Sequence, residues 1–122
     1  MTVSLDMAMP VPLHKKRLRL RGFNQALLLA HGVSERFTIP LNYDNLARIR
    51  YTRPQVELSG RERAENVRGA FNLIRPAEVC GKKILLIDDV FTTGATMNEC
   101  AKVLKDAGAE SVTVLTLART TE

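Results

Sequence analysis

The chain has 122 residues, 45% of them apolar and 25% charged, with 7 Gly and 5 Pro, the size and balance of one globular domain spanning 1–122. That composition excludes disorder, collagen and low-complexity sequence, and the longest aliphatic run, residues 26–30, falls far short of the roughly 20 apolar residues that a membrane helix needs. The formal charge of +5 is unevenly spread, since residues 1–63 hold 11 Lys/Arg against 5 Asp/Glu and residues 64–122 hold 7 against 8, so the first half is expected to attract an anion.

Residues 1–12 carry Asp6 and no Lys or Arg, which predicts no secretory leader, no membrane contact and a cytoplasmic location. Cys80 and Cys100 lie 20 apart without a CxxC spacing, supporting neither a disulfide framework nor a zinc site. Both are expected to be small core residues.

In chain order, residues 7–11 read as a first strand, closed by Pro10 and Pro12. Lys15, Lys16, Arg17, Arg19 and Arg21 then place five positive charges in seven residues, either a solvated face or a phosphate contact. Nucleic acid, nucleotide and polyphosphate all fit such a run. From residue 22 to about residue 37, Phe23, Ala26, Leu27, Ala30, Val33 and Phe37 recur at helical spacing. Asn24 at the start of this helix either orients a ligand or caps the helix. Residues 44–51 and 69–74 are weaker strand candidates, joined by a polar, partly helical loop over 52–68, and a loop that long usually carries function.

The last 40 residues are clearer. Ile84, Leu85, Leu86 and Ile87 are four consecutive apolar residues, the pattern of a parallel strand covered on both faces. A helix follows, with Met97, Cys100, Ala101, Leu104 and Ala107 on one face and Gly108 as its C-terminal stop. Residues 111–117 form a further strand, which completes one βαβ unit. The alternation of strand and helix predicts an α/β fold.

Between that buried strand and its helix stands Asp88-Asp89-Val90-Phe91-Thr92-Thr93-Gly94-Ala95-Thr96. Ligands of open α/β sheets bind beyond the carboxyl ends of the strands. Thr92, Thr93, Gly94, Ala95 and Thr96 offer backbone N–H groups at a helix start, where the dipole favours a phosphate; a plain threonine cap is the alternative. Two adjacent carboxylates repel unless something requires both. Hydrogen bonds from the hydroxyls of a ribose 5-phosphate, or Mg²⁺ bound directly or through water, would do so. Neither GxxxxGK[ST] nor GxGxxG occurs.

The run ILLIDDVFTTGAT at 84–96 closely resembles the signature of the type I phosphoribosyltransferases, an apolar strand, two acidic residues and a Thr/Gly-rich phosphate loop. Further segments narrow the resemblance: PVPLHKKRLRLRGFNQ at 10–25, Arg50-Tyr51-Thr52-Arg53-Pro54-Gln55, Arg61 with Asn66, Gly69-Ala70-Phe71, and Leu117-Ala118-Arg119-Thr120. Together they are similar to the ComF family, competence-associated phosphoribosyltransferase-like proteins, over roughly residues 8–120.

The resemblance implies a type I phosphoribosyltransferase fold, a mainly parallel central sheet flanked by helices. It implies that Asp88 and Asp89 bind the ribose hydroxyls of 5-phosphoribosyl-1-pyrophosphate (PRPP) and share Mg²⁺ with ligand and water, while Thr92, Thr93, Gly94, Ala95 and Thr96 hold the 5-phosphate. Leu13, His14, Lys15, Lys16 and Arg17 would face the pyrophosphate, and Thr52, Gln55, Arg61, Arg63 and Asn66 match a flexible loop that closes over the site. Three roles are compatible with this: transfer of phosphoribose to or from a nitrogenous acceptor, non-catalytic sensing of PRPP or a nucleotide, and a competence (DNA uptake) component contacting nucleic acid or other competence proteins. Family members commonly carry an N-terminal zinc ribbon and a helix leading into the first strand, neither of which this sequence contains. The expectation is therefore a sheet uncovered on one side and self-association as a homodimer.

Overall fold

The computed structural model describes residues 4–13, 19, 22, 24–50, 59–91 and 94–119. Its elements run in the order β1 (Met7–Pro10), α1 (Gln25–Phe37), β2 (Leu46–Arg48), α2 (Gly60–Val67), β3 (Phe71–Leu73), a 3₁₀ turn (Pro76–Val79), β4 (Lys83–Phe91), α3 (Ala95–Asp106) and β5 (Ser111–Arg119). β1 and β5 flank β4, both parallel to it, and β2 and β3 form a separate antiparallel ribbon. Leu41 adds an isolated parallel bridge to Ala8 on the other side of β1.

β4 partitions the core. Successive side chains of a strand point to opposite faces, so Ile84 and Leu86 join one apolar cluster with Met97, Cys100 and Leu104 of α3 and with Leu46, Phe71 and Leu73 of the ribbon. Leu85 and Ile87 join the other, with Ala8, Ala30 and the half-buried Leu29 and Val33 of α1. All four β4 residues are 6% exposed or less, as expected of a strand covered on both faces.

The helices are bounded by identifiable caps. The Asn24 side chain accepts a hydrogen bond from Ala26 N–H at 3.0 Å, satisfying one of the free donors of α1; of the two roles open to Asn24, capping is the one this bond fulfils. α2 begins with a capping box, Ser59 Oγ accepting from Glu62 N–H at 3.3 Å and Glu62 Oε1 accepting from Ser59 N–H at 3.2 Å. At its other end Arg50 donates to the Asn66 and Arg68 carbonyls, each at 2.8 Å, a cation at the negative end of the helix dipole. α3 opens on Gly94 at φ 86° and is followed by Gly108 at φ 97°, both in the left-handed region that glycine enters without a Cβ penalty.

Three expectations change. Phe37 is 63% exposed, because α1 is finishing there and its ring lies under the Arg36 guanidinium, 5.4 Å from centroid to Cζ. Cys80 is exposed and Cys100 buried: Val79, at the end of the 3₁₀ turn, fills the core in place of Cys80. The weaker strand candidates shrink to three residues each, paired Leu46↔Leu73, Ala47↔Asn72 and Arg48↔Phe71.

Candidate active site

β4 does not end at Ile87. β5 continues to pair with it at Asp88↔Thr116, Val90↔Ala118 and Phe91↔Arg119, so the acidic pair lies within the carboxyl-terminal half of the strand and not beyond it. β1, in contrast, stops at Pro10↔Ile87. Val11 N–H makes a last bond to the Ile87 carbonyl at 2.8 Å, and the chain then departs. Asp88 and Asp89 therefore begin where β4 loses its β1 neighbour.

That place is also where the chain changes sides. The helix after β1 packs on one face of the sheet and the helix after β4 on the other. Neighbouring parallel strands whose helices cover opposite faces leave a crevice at their carboxyl ends, the topological switch point at which open α/β sheets bind ligands. Gly94, Ala95 and Thr96 stand at the N-terminus of α3 beside this crevice, Gly94 being buried and Ala95 and Thr96 half-buried.

The two carboxyl groups are coupled. Asp88 Oδ1 accepts from Asp89 N–H at 2.9 Å, and the two side chains also share a hydrogen bond. Burial first, then that shared bond, pushes the Asp88 carboxyl up to about 7, so near neutrality the pair holds a proton that a cation or hydroxyl donor would displace. Among the described residues no group of three or more His, Cys, Asp or Glu could cage a metal. Two carboxylates do fit Mg²⁺, which keeps waters and usually takes one or two carboxylates together with substrate phosphates.

The other expected site residues are distributed unevenly. Leu13 lies in the segment leaving β1, half-buried. His14, Lys15, Lys16, Arg17, Thr52, Gln55, Thr92 and Thr93 lie outside the described residues. Arg61, Arg63 and Asn66 all fall in α2. Arg61 is 90% exposed and pairs with Glu65 at 3.5 Å, while the Asn66 carbonyl accepts from Arg50. Sequence reasoning did not single out Arg48 of β2, whose guanidinium lies 4.7 Å from the Phe71 ring centroid and whose charge weakly opposes the upward shift of Asp88.

Residues 24–122 match the model of the phosphoribosyl transferase domain. The chain belongs to that family. It is 41% identical over 112 residues to competence protein F of Haemophilus influenzae, covering 90% of this chain and 48% of the relative. It is 38% identical over 115 residues to DNA utilization protein YhgH of Escherichia coli K12, covering 94% and 50%, and 36% identical over 109 residues to competence protein ComFC of Streptococcus pneumoniae, covering 89% and 46%. The ComF resemblance thus holds, and this phosphoribosyl transferase domain spans about half the length of the curated relatives it matches. Its fold is similar to that of the glutamine PRPP amidotransferase of B. subtilis, solved with ADP and GMP, with a TM-score of 0.64 at 24% identity over 96% of this chain and 23% of that one. No helix among the described residues is long and apolar enough to cross a membrane.

Proposed function

We propose that this chain is a phosphoribosyltransferase that binds PRPP with Mg²⁺ and transfers phosphoribose to or from a nitrogenous acceptor. The observation that carries this reading is the position of Asp88 and Asp89, at the point where β4 loses β1, on the strand that precedes the helix opened by Gly94. Carboxylates there accept hydrogen bonds from the ribose hydroxyls, and the α3 N-terminus favours a 5-phosphate through its backbone N–H groups and its dipole. Bound Mg²⁺ would neutralise charge on the departing pyrophosphate. The C1–O bond to pyrophosphate breaks, a C1–N bond to the acceptor forms on the opposite face, and the acceptor releases its proton to solvent. The chain's own part is orientation and charge stabilisation; no protein nucleophile is required.

Calorimetric titration of PRPP with and without Mg²⁺ tests the reading. Mg²⁺-dependent binding that is lost in the Asp88→Asn/Asp89→Asn double variant supports it; a folded wild type that does not bind PRPP overturns it, for catalysis and sensing alike. Binding without turnover across a panel of nitrogenous acceptors would favour the sensor.

A second reading is favoured by the relatives' names, competence protein F and DNA utilization protein YhgH. A role in DNA uptake would use the basic run at 15–21 as a contact for nucleic acid or another protein. DNA binding that weakens steeply with salt, and is lost when that run is neutralised, is its expected signature.

A further inference from the structure

The acidic pair hangs on a backbone contact made from the β1 side. Val11 N–H donates to the Ile87 carbonyl at 2.8 Å, and that carbonyl belongs to the peptide that leads into Asp88. The place of Asp88 and Asp89 therefore depends on Val11 keeping its own. Val11 is buried, 4% exposed, and the backbone carbonyl of a buried residue is nearly always paired. With β1 ending one residue earlier, the partner for this carbonyl has to come from elsewhere in the chain.

It comes from 13 residues further on, where the half-buried Asn24 uses both ends of its carboxamide. Nδ2 donates to the Val11 carbonyl at 3.4 Å, and Oδ1 accepts from Ala26 N–H at 3.0 Å. Capping alone does not call for this group, because Asp and Ser cap a helix about as well. The second bond does: Asp has no N–H to give, and a serine hydroxyl is one bond shorter on a contact already at 3.4 Å. Three hydrogen bonds thus run in series, from the first turn of α1 to Asn24, from Asn24 to Val11, and from Val11 to the peptide before Asp88. Asn24 stands where the chain that left the sheet after β1 returns as α1, and it ties the two ends of that excursion together.

We infer that Asn24 is a positioning residue of the site: besides capping α1, it locks the end of β1 onto β4 and so fixes the backbone from which Asp88 and Asp89 meet the ligand. Its part in ligand binding rests on the PRPP reading; the lock does not, and separate measurements decide the two.

Asn24→Ser separates locking from capping, since it keeps a capping oxygen and adds no charge. The lock is tested by hydrogen exchange of the ligand-free proteins, followed by NMR. In Asn24→Ser the Val11 amide is expected to exchange several-fold faster relative to the Leu86 amide in the middle of β4, because only the end of β1 is loosened. Asn24→Asp, which also caps without a donor, is expected to raise the same ratio. An unchanged ratio in either variant overturns the lock. PRPP titration with Mg²⁺ tests the role: Asn24→Ser is expected to bind about tenfold more weakly, the lower end of the loss when a group that orients a ligand-holding residue is removed. Wild-type affinity in the folded Asn24→Ser protein overturns the role, since a residue that only caps α1 leaves affinity unchanged. Failure of wild type itself to bind PRPP removes the ligand reading and the role with it, and leaves the lock to the exchange ratio.

Discussion

Asp88 links stability and binding through one proton. With its carboxyl held up at about 7 instead of 3.8, the folded protein retains a proton that the unfolded chain releases. The resulting stabilisation is complete below about 4 and is withdrawn as pH rises through about 7. Melting temperature should therefore fall from about pH 4 to about pH 7, the window that separates those two values. Asp88→Asn should flatten this fall and melt higher than wild type at pH 8; a pH-independent difference would show that Asp88 is not the group concerned. The cysteines give a second residue-scale expectation. Burial raises the Cys100 thiol far above its usual range, whereas Cys80 is exposed. An aromatic disulfide reagent at pH 8 should titrate one thiol in the folded protein and two in denaturant. The exposure of Cys80 was not legible in the sequence, since spacing excludes a bridge or a zinc site but says nothing of which way a side chain turns after a 3₁₀ turn.

At the scale of elements, legibility followed length. β4 and α3 could be read because four consecutive apolar residues, a helical stripe and two glycines agree over some 25 positions, and the site motif lies between them. β2 and β3 have three residues each, too few for alternation to show, and their bounds were overdrawn. The packing of β2 against β4 was invisible for a different reason: Leu46 and Leu86 are far apart in sequence, and only the fold brings them into one cluster. The sequence did show that residues 52–68 were polar and partly helical, but not that α2 is fastened at both ends. Removing one fastening should be measurable. Ser59→Ala loses the capping box and should cost about 1 kcal/mol; Arg50→Ala leaves the Asn66 and Arg68 carbonyls without that donor and should cost a similar amount, about 1 kcal/mol. Urea unfolding of the two variants checks both, and no change in either would mean that α2 is held by packing such as the burial of Val67 and not by its end contacts.

For the molecule as a whole, the sheet is covered unequally. α1 lies over β1 and β4, and on the same face of β5 Leu115 and Leu117 are 38% and 74% exposed. The expectation of self-association belongs to this surface. Sedimentation should show a concentration-dependent dimer that Leu117→Asp weakens; a monomer at all concentrations would remove it. A different consequence follows from the unequal neighbours of β4. From Ile84 to Ile87 the strand is flanked by β1 and β5, and among the described residues from Asp88 to Phe91 by β5 alone. Amide protons of the first stretch should exchange with solvent only when the whole domain opens, and those of the second through smaller, local openings. The border between the permanent and the yielding parts of the protein thus crosses a single strand, between Ile87 and Asp88, so a ligand gripping the acidic pair would register as slowed exchange on the yielding side while the permanent side stays unchanged.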